Sequence, residues 1–354
     1  MATKQEATDL LVQLVKAQSE PGMDKNPVLD IVEPRLKAMG LQVHGYENDG
    51  NPAIFASKGN PKILFNGHLD TVPRGTGWKF EDGQVVGDRV YGRGSLDMKG
   101  GCAALLLAAE ILNERGIDFA IVYTTDEEVG MAGAKELAAA HPEISEIPLF
   151  VICEPTDFHP IVDEKGIVQF KITTYGKSAH ASMPELGSNA IVDLISRLNN
   201  LINSELFGSS QHDPVTIGID IIQGGTGMNV MPEEASATVD VRFPADYTNA
   251  EMLGIMKKLV RADDDTCQVE LIHELIPVRS DIPQELLARI ENLTGKEAHK
   301  VPYGTEMAVF GKLNKNIVVL GPGAPPMAHQ TDEWIDINDV VKAVEVYVEL
   351  AGWF

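Results

Sequence analysis

The chain has 354 residues, of which 44% are apolar and 23% charged, and its 29 basic against 52 acidic side chains give a formal net charge of −23. That length exceeds the usual single-domain range and allows two domains around large cores, and the composition excludes a disordered or fibrous chain. So much negative charge repels phosphate backbones and anionic lipid over most of the surface, so neither nucleic acid nor a membrane is expected as a partner.

The N-terminal segment MATKQEATDLLVQLVKAQ sets apolar residues at helical spacing and predicts a first helix rather than a secretory leader. Short apolar strands follow at NPAIFAS, PKILFNGH, DFAIVYTTD and LFVICE, with a long helix after Lys99 between the second and the third. The apolar stretch AALLLAAEIL in that helix ends after about ten residues, short of the roughly 20 that a bilayer span needs. Alternating helices and strands make this region α/β. Three widely separated cysteines, Cys102, Cys153 and Cys267, fit reduced thiols and a cytoplasmic location.

Beyond Gly166 the texture changes. GIVQFKITTYG, a helix over about 188–206, PVTIGIDIIQGG, EASATVDVRFP, a helix over about 249–262 and CQVELIHELIP give the order βαββαβ. This is a ferredoxin-like, split βαβ arrangement that can fold as its own layer pair. After Pro283 the α/β texture resumes with a helix, the strand NIVVLGPG, the polar loop PPMAHQTDEW and a last helix from near Asn338. The first domain is therefore expected to be discontinuous, covering 1–165 and 279–354, with 166–278 inserted.

Chemistry-bearing side chains collect at the ends of the α/β strands. His68 and Asp70 stand two apart after PKILFNG, a spacing that suits an imidazole ligand and its orienting carboxylate, or ordinary loop hydrogen bonding. Asp97 precedes the long helix after a glycine-rich turn; it reads either as a helix cap or as a carboxylate able to bridge two cations. Glu127 and Glu128 are adjacent after an apolar strand, so their side chains diverge, and without a cation they would repel. Glu154 ends another apolar strand before Pro155, while Cys153 reads as small core packing. His329 lies on a loop fixed by glycine and proline. The set of His68, Asp97, Glu128, Glu154 and His329 forms one collection of nitrogen and oxygen donors. GGTGMN lacks the ending of a phosphate loop and leads into a strand, so it is not read as one.

GHLDTVP, GRGSLDMKGG, TDEEVG, CEPTD, GKSAHAS and AHQTDEW, in this order, resemble over essentially the whole chain the blocks of a family of dinuclear zinc amidohydrolases. That family includes acetylornithine deacetylase, succinyl-diaminopimelate desuccinylase, aminoacylase and carboxypeptidase G. The resemblance implies a zinc-peptidase-like catalytic domain, with the inserted unit as its lid and dimerisation domain, and a homodimer. It implies one metal held by His68, Asp97 and Glu154 and another by Asp97, Glu128 and His329, the pair being zinc, or cobalt or manganese. It implies Asp70 as the partner of His68 and Glu127 as general base and acid. It also implies that His180 in GKSAHAS reaches a neighbouring subunit's site, and that Arg242 and Asn229 bind substrate. Thr305 and Glu306 in GTEMAVF, with Gly323 in GPGAPP, are implied in shaping the substrate cleft.

Within the family, GTEMAVF and LGPGAPPMAHQTDEW look closer to acetylornithine deacetylase and carboxypeptidase G than to the desuccinylase, whose arginine-rich stretch is replaced by VDEKGIVQF. The expected reaction is cleavage of the amide of a small N-acyl amino acid. A desuccinylase, a di- or tripeptidase using the same centre, and a non-catalytic metal-binding protein are the alternatives.

Overall fold

The computed structural model describes residues 2–48 and 50–354. Two compact units divide the chain: Met1–Val162 with Ser280–Lys300 and Thr305–Phe354, and Asp163–Arg279 with Val301–Gly304. Among the described residues no helix is long and apolar enough to cross a membrane.

The sheet of the first unit runs in the spatial order Gln42–Asn48, Asn51–Ser57, Ala120–Thr124, Ile63–His68, Leu149–Ile152 and Ile317–Val319, with Ile161 beside Val319. Every residue of Ile63–His68, Ala120–Thr124, Leu149–Ile152 and Ile317–Val319 is buried. These four are mutually parallel, and parallel strands covered on both faces are written as continuous apolar runs, which is why their sequences stand out. The polar strand Gln42–Asn48 at the sheet edge, with no buried residue, and the short strands Gln84–Val86, Arg89–Tyr91 and Trp334–Asp336 carry no such signal. Register pairs His68 with Thr124, Asn66 with Ile152 and Val319 with Ile152. The loops that begin at Leu69, Thr125, Cys153 and Leu320 therefore all leave from one carboxyl edge, where open α/β sheets hold ligands.

Helices Lys4–Lys16, Lys99–Glu114 and Ile337–Ala351 pack on one another. The first opens with a capping box between Thr3 and Glu6 and buries Leu10, Leu11 and Leu14. The second is buried at every residue from Lys99 through Ala109, and its N-cap is Met98 with no side-chain cap bond. Asp97 does not cap this helix, so its carboxylate is available elsewhere. The Asp97–Met98 peptide is cis.

In the second unit, Thr216–Gly224, Glu234–Phe243, Gly166–Tyr175 and Cys267–Leu275 form, in that spatial order, one antiparallel sheet. Helices Ala190–Ile202 and Asn249–Leu259 pack on it. Strand Glu234–Phe243 alternates, burying Ala235, Ala237, Val239, Val241 and Phe243, the period-two pattern of a sheet covered on one face. Both helices are shorter than the apolar spacing predicts. The first starts when Asn189 caps Ile191 and Val192 and ends before Asn203; the second starts from the Thr248–Glu251 capping box.

The start of helix Lys99–Glu114 lies hard against the strand edge. A Cβ on Gly101 would come 2.1 Å from the Cys153 carbonyl oxygen, a backbone atom that cannot rotate away. Gly101→Ala should therefore lower stability by about 1–3 kcal/mol through overpacking, read as a lower urea midpoint at unchanged slope. An unaltered midpoint would mean that the helix can move off the sheet without cost.

Candidate metal centre

The carboxyl edge of the first unit brings together seven of the side chains singled out in the sequence. His68, the last residue of its strand, is 1% exposed. Its Nδ1 lies 3.1 Å from the Asp70 carbonyl oxygen and 3.4 Å from the Asp70 carboxylate. With its proton donated to that carbonyl, the ring turns the Nε2 lone pair toward Asp97 Oδ1 at 3.4 Å and Glu154 Oε1 at 3.3 Å. The other oxygen of Asp97 is 3.3 Å from His329 Nε2, which is also 3.0 Å from Glu128 Oε1. Each oxygen of Asp97 thus faces a different imidazole.

His68, Asp97 and Glu154 offer donor atoms within 4.8 Å of one another, as do Asp97, Glu128 and His329, and a third grouping draws on His68, Glu127 and Glu128. These donors fit divalent cations. Imidazole nitrogens and carboxylate oxygens converge, and among the described residues no Lys or Arg pairs with Asp97, Glu128 or Glu154. Buried carboxylates without such a partner demand another source of positive charge.

Asp70, 1% exposed, has a second task. Its two carboxylate oxygens accept the backbone N–H groups of Glu127 at 3.2 Å and Glu128 at 3.1 Å. The sequence reading pairs Asp70 with His68; its carboxylate also holds the loop that carries both glutamates, and its carbonyl makes the shorter contact to the ring. The Glu128 side chain turns to His329, whereas the Glu127 carboxylate meets no hydrogen-bonding or ion-pair partner among the described residues. Asp126 steadies the far end of this loop by accepting the N–H groups of Ala132 and Gly133.

Burial pushes Glu127 well above the usual carboxylate range, against the pull of His68, with Glu154 and Glu128 adding to the rise. Glu154 is raised to about 8, first by burial and then by Asp97, with His68 opposing. Hydrogen bonds to the Asp97 and Glu128 carboxylates raise His329 to about 10. Burial works against ionisation of Asp97, but His329 and His68 outweigh it and hold that group well below the ordinary value.

His329 adopts φ 62, a left-handed conformation that costs a non-glycine residue roughly 1–2 kcal/mol. Thr305 is 3% exposed and its Oγ accepts the Met307 N–H at 3.1 Å. Gly323, at φ 86, gives its carbonyl to the Asp157 N–H at 2.7 Å. Both residues hold loops from within the first unit.

His180, Asn229 and Arg242 belong to the second unit. His180 is exposed, and its Nδ1 accepts from the Ser182 N–H at 3.2 Å and lies 2.8 Å from Ser182 Oγ, so the neutral ring carries its proton on Nε2, as a donor. Asn229 is exposed beside it, its carbonyl bonded to the Ala181 N–H at 3.0 Å. Arg242 is paired along its own strand with Asp240, at 2.6 Å through Nε and 2.9 Å through Nη2.

One buried ion pair escaped the sequence reading, and Glu306, expected with Thr305 only to shape the cleft, is buried and hydrogen-bonded within the first unit. Glu306, 1% exposed, accepts from Asn66 Nδ2 at 2.7 Å and Thr124 Oγ at 3.0 Å, and burial raises it to about 7. Arg93 and Glu333 form an ion pair of 2.6 Å at 7% and 0% side-chain exposure. Their signal is slight: single charged residues inside GRGS and TDEW, blocks already assigned to their neighbours.

An α/β sheet with imidazoles and carboxylates converging at its carboxyl edge is the centre of a metal-dependent hydrolase. Residues 64–352 match the model of Peptidase family M20/M25/M40, and the chain belongs to that family. Like its members it is a metal-dependent hydrolase of linear amides. A LysW-lysine/LysW-ornithine hydrolase of Sulfurisphaera tokodaii is 27% identical over 98% of this chain and 95% of its own length. An acetylornithine deacetylase of Myxococcus xanthus is 27% identical over 97% of this chain and 96% of its own. The structure of a tripeptidase from Staphylococcus aureus superposes with a TM-score of 0.81 at 20% identity, covering 99% of this chain and 100% of that one.

Because these acids converge without a lysine or arginine partner, removing divalent ions should destabilise the fold. An ion present at about 100 times its dissociation constant adds roughly 2.7 kcal/mol, so dialysis against a chelator should lower the calorimetric midpoint by several degrees, and zinc should restore it. A midpoint indifferent to chelator and zinc would contradict a metal role for this cluster.

Proposed function

We propose that this chain releases an amino acid from a small N-acyl derivative, as an acetylornithine deacetylase does, using two divalent ions and Glu127. The observation that carries this reading is the opposition of the two Asp97 oxygens to two imidazoles, with an unengaged carboxylate beside them. His68, Asp97 and Glu154 hold the first ion; Asp97, Glu128 and His329 hold the second. Zinc suits such mixed donors, with cobalt or manganese as substitutes. When bound, two such ions polarise a scissile carbonyl and acidify a water.

Glu127 takes a proton from the attacking water onto its carboxylate and delivers it to the leaving nitrogen. It is assigned this role over Glu128 because the Glu128 oxygen is already turned to His329. Asp70 keeps both glutamates in register through their backbone N–H groups. The second unit serves as a ferredoxin-like lid. His180, with Nε2–H as donor, stabilises the oxyanion in a partner subunit's site, and Asn229 and Arg242 hold the substrate carboxylate. Thr305 and Gly323 support the cleft loops. The relatives named for ornithine or lysine conjugates favour a basic amino acid as the product, and the enzyme works in the cytoplasm.

The deciding experiment is a panel of N-acetylornithine, N-acetyl-lysine, N-succinyl-diaminopimelate and several dipeptides, assayed with zinc, cobalt and manganese. Turnover of the N-acetyl substrates should dominate; exclusive turnover of dipeptides would replace this reading with a peptidase. On the preferred substrate, Glu127→Gln should lower kcat by about 10²–10⁴-fold while metal content stays at the wild-type level. Wild-type turnover in that variant would sink the assignment of Glu127.

A homodimer is part of the proposal. Helix Ala190–Ile202 exposes Val192, Ile195 and Ile202 at 62%, 47% and 57%, and the edge strand Thr216–Gly224 exposes Ile221 and Ile222 at 52% and 58%. An apolar edge strand invites pairing with a second chain. Val192→Lys combined with Ile221→Lys should shift the sedimenting species from dimer to monomer and, by removing the partner's His180, depress activity. A variant that remains dimeric would move the interface elsewhere.

A further inference from the structure

One buried ion pair on the carboxyl edge touches the backbone of both Asp97 and His329 without offering either a ligand. Glu333 is 0% exposed, and its Oε1 accepts two backbone N–H groups, from Leu96 at 2.9 Å and Asp97 at 3.1 Å. Its Oε2 meets Arg93 Nη1 at 2.6 Å, and Arg93 Nη2 donates to the His329 carbonyl at 3.3 Å. Arg93 is itself anchored, its backbone N–H donating to Asp82 Oδ1 at 3.1 Å, while the Glu333 carbonyl accepts the Gly92 N–H at 3.0 Å.

The two proposed ion positions depend on this pair unequally. His68 ends a strand that is hydrogen-bonded on both sides, and the sheet fixes it. His329 sits on a loop, half exposed, in the left-handed conformation, with a side chain that meets Glu128 and Asp97. A loop residue must be ordered before it can bind an ion, and that ordering is an entropy that backbone anchors remove in advance. The planar guanidinium suits this work because one fork can reach a carboxylate and a carbonyl together.

We propose that Arg93 and Glu333 are positioning residues that set the distance between Asp97 and His329 and thereby tune the affinity of the second ion, held by Asp97, Glu128 and His329. The proposal rests on the two-ion reading above. Loss of the clamp loosens the His329 loop while leaving His68 and Glu154 on their strand ends.

The test is calorimetric titration of the full-length, chelator-stripped protein with zinc and separately with cobalt. The double variant Arg93→Met with Glu333→Gln avoids leaving a lone buried charge and keeps an amide oxygen for the Leu96 and Asp97 N–H groups. In it the weaker binding event should lose about 10–100-fold in affinity, with the tighter one changed by less than about threefold. Should circular dichroism find that variant unfolded, Arg93→Lys decides, since a lysine keeps the charge but cannot span both acceptors; it should weaken the same event. Two wild-type affinities in a folded variant, or an equal fall in both, would overturn the proposal. A wild-type chain that takes up fewer than two ions would instead defeat the two-ion reading, and the clamp with it.

Discussion

Asp97, Glu127, Glu128 and Glu154 are drawn together at one edge of a sheet, and that convergence of acids is the constraint around which the first unit is organised. Two like charges 4 Å apart repel by about 4 kcal/mol at the effective dielectric of a protein surface region, so the backbone must hold them where their charges resist. Parallel strands do this well. Ile63–His68, Ala120–Thr124, Leu149–Ile152 and Ile317–Val319 are buried throughout and bonded to one another in register, so their ends are the least movable backbone near the surface. The candidate ligands are carried at or just beyond those ends, in groupings that fit divalent cations.

What the strands leave loose is tied down by polar side chains whose charge is spent on backbone. Asp70 holds Glu127 and Glu128, Asp126 holds the turn that follows, and Glu333 holds Leu96 and Asp97. Glu306 joins Asn66 to Thr124, linking the two strands that lead to His68 and Glu127. In each case a carboxylate accepts from N–H or O–H donors that the fold brings to it, mostly from remote parts of the chain, which is stronger than a neutral acceptor in the same position. Loop order at this edge is therefore an electrostatic property as much as a packing one.

The sequence made the outline of this arrangement legible because parallel strands buried on both faces write themselves as apolar runs that stop at polar residues. PKILFNGH, DFAIVYTTD and LFVICE could be taken as strands with chemistry-bearing residues at their ends, and NPAIFAS, antiparallel to both neighbours but largely buried, could be taken as a strand without such residues. The edge strand Gln42–Asn48 could not, since an exposed strand has no such run. Helix ends in the second unit were overextended, because apolar spacing continues past Ile202 whereas the helix stops at Asn203. Asp97 kept two readings until structure assigned the cap position to Met98. Arg93 and Glu333 were invisible for another reason: they meet across more than two hundred positions of the chain, and no local pattern records such a meeting; the partners of Glu306, Asn66 and Thr124, are also remote.

Asp70 divides its oxygens between the His68 ring and the short loop that carries Glu127 and Glu128. Had its carboxylate been consumed by the His68 ring, the N–H groups of Glu127 and Glu128 would need another acceptor in a buried setting, at a cost of about 1–3 kcal/mol for each left unpaired. The Asp70 carbonyl makes the shorter contact to the ring, 3.1 Å against 3.4 Å, and both carboxylate oxygens accept from the loop. Glu128 meets His329, while Glu127, whose carboxylate stays in the same cluster with His68 and Glu128, has no hydrogen-bonding partner among the described residues. The difference between the two glutamates is thus one of partners on a loop that a single aspartate holds by its backbone.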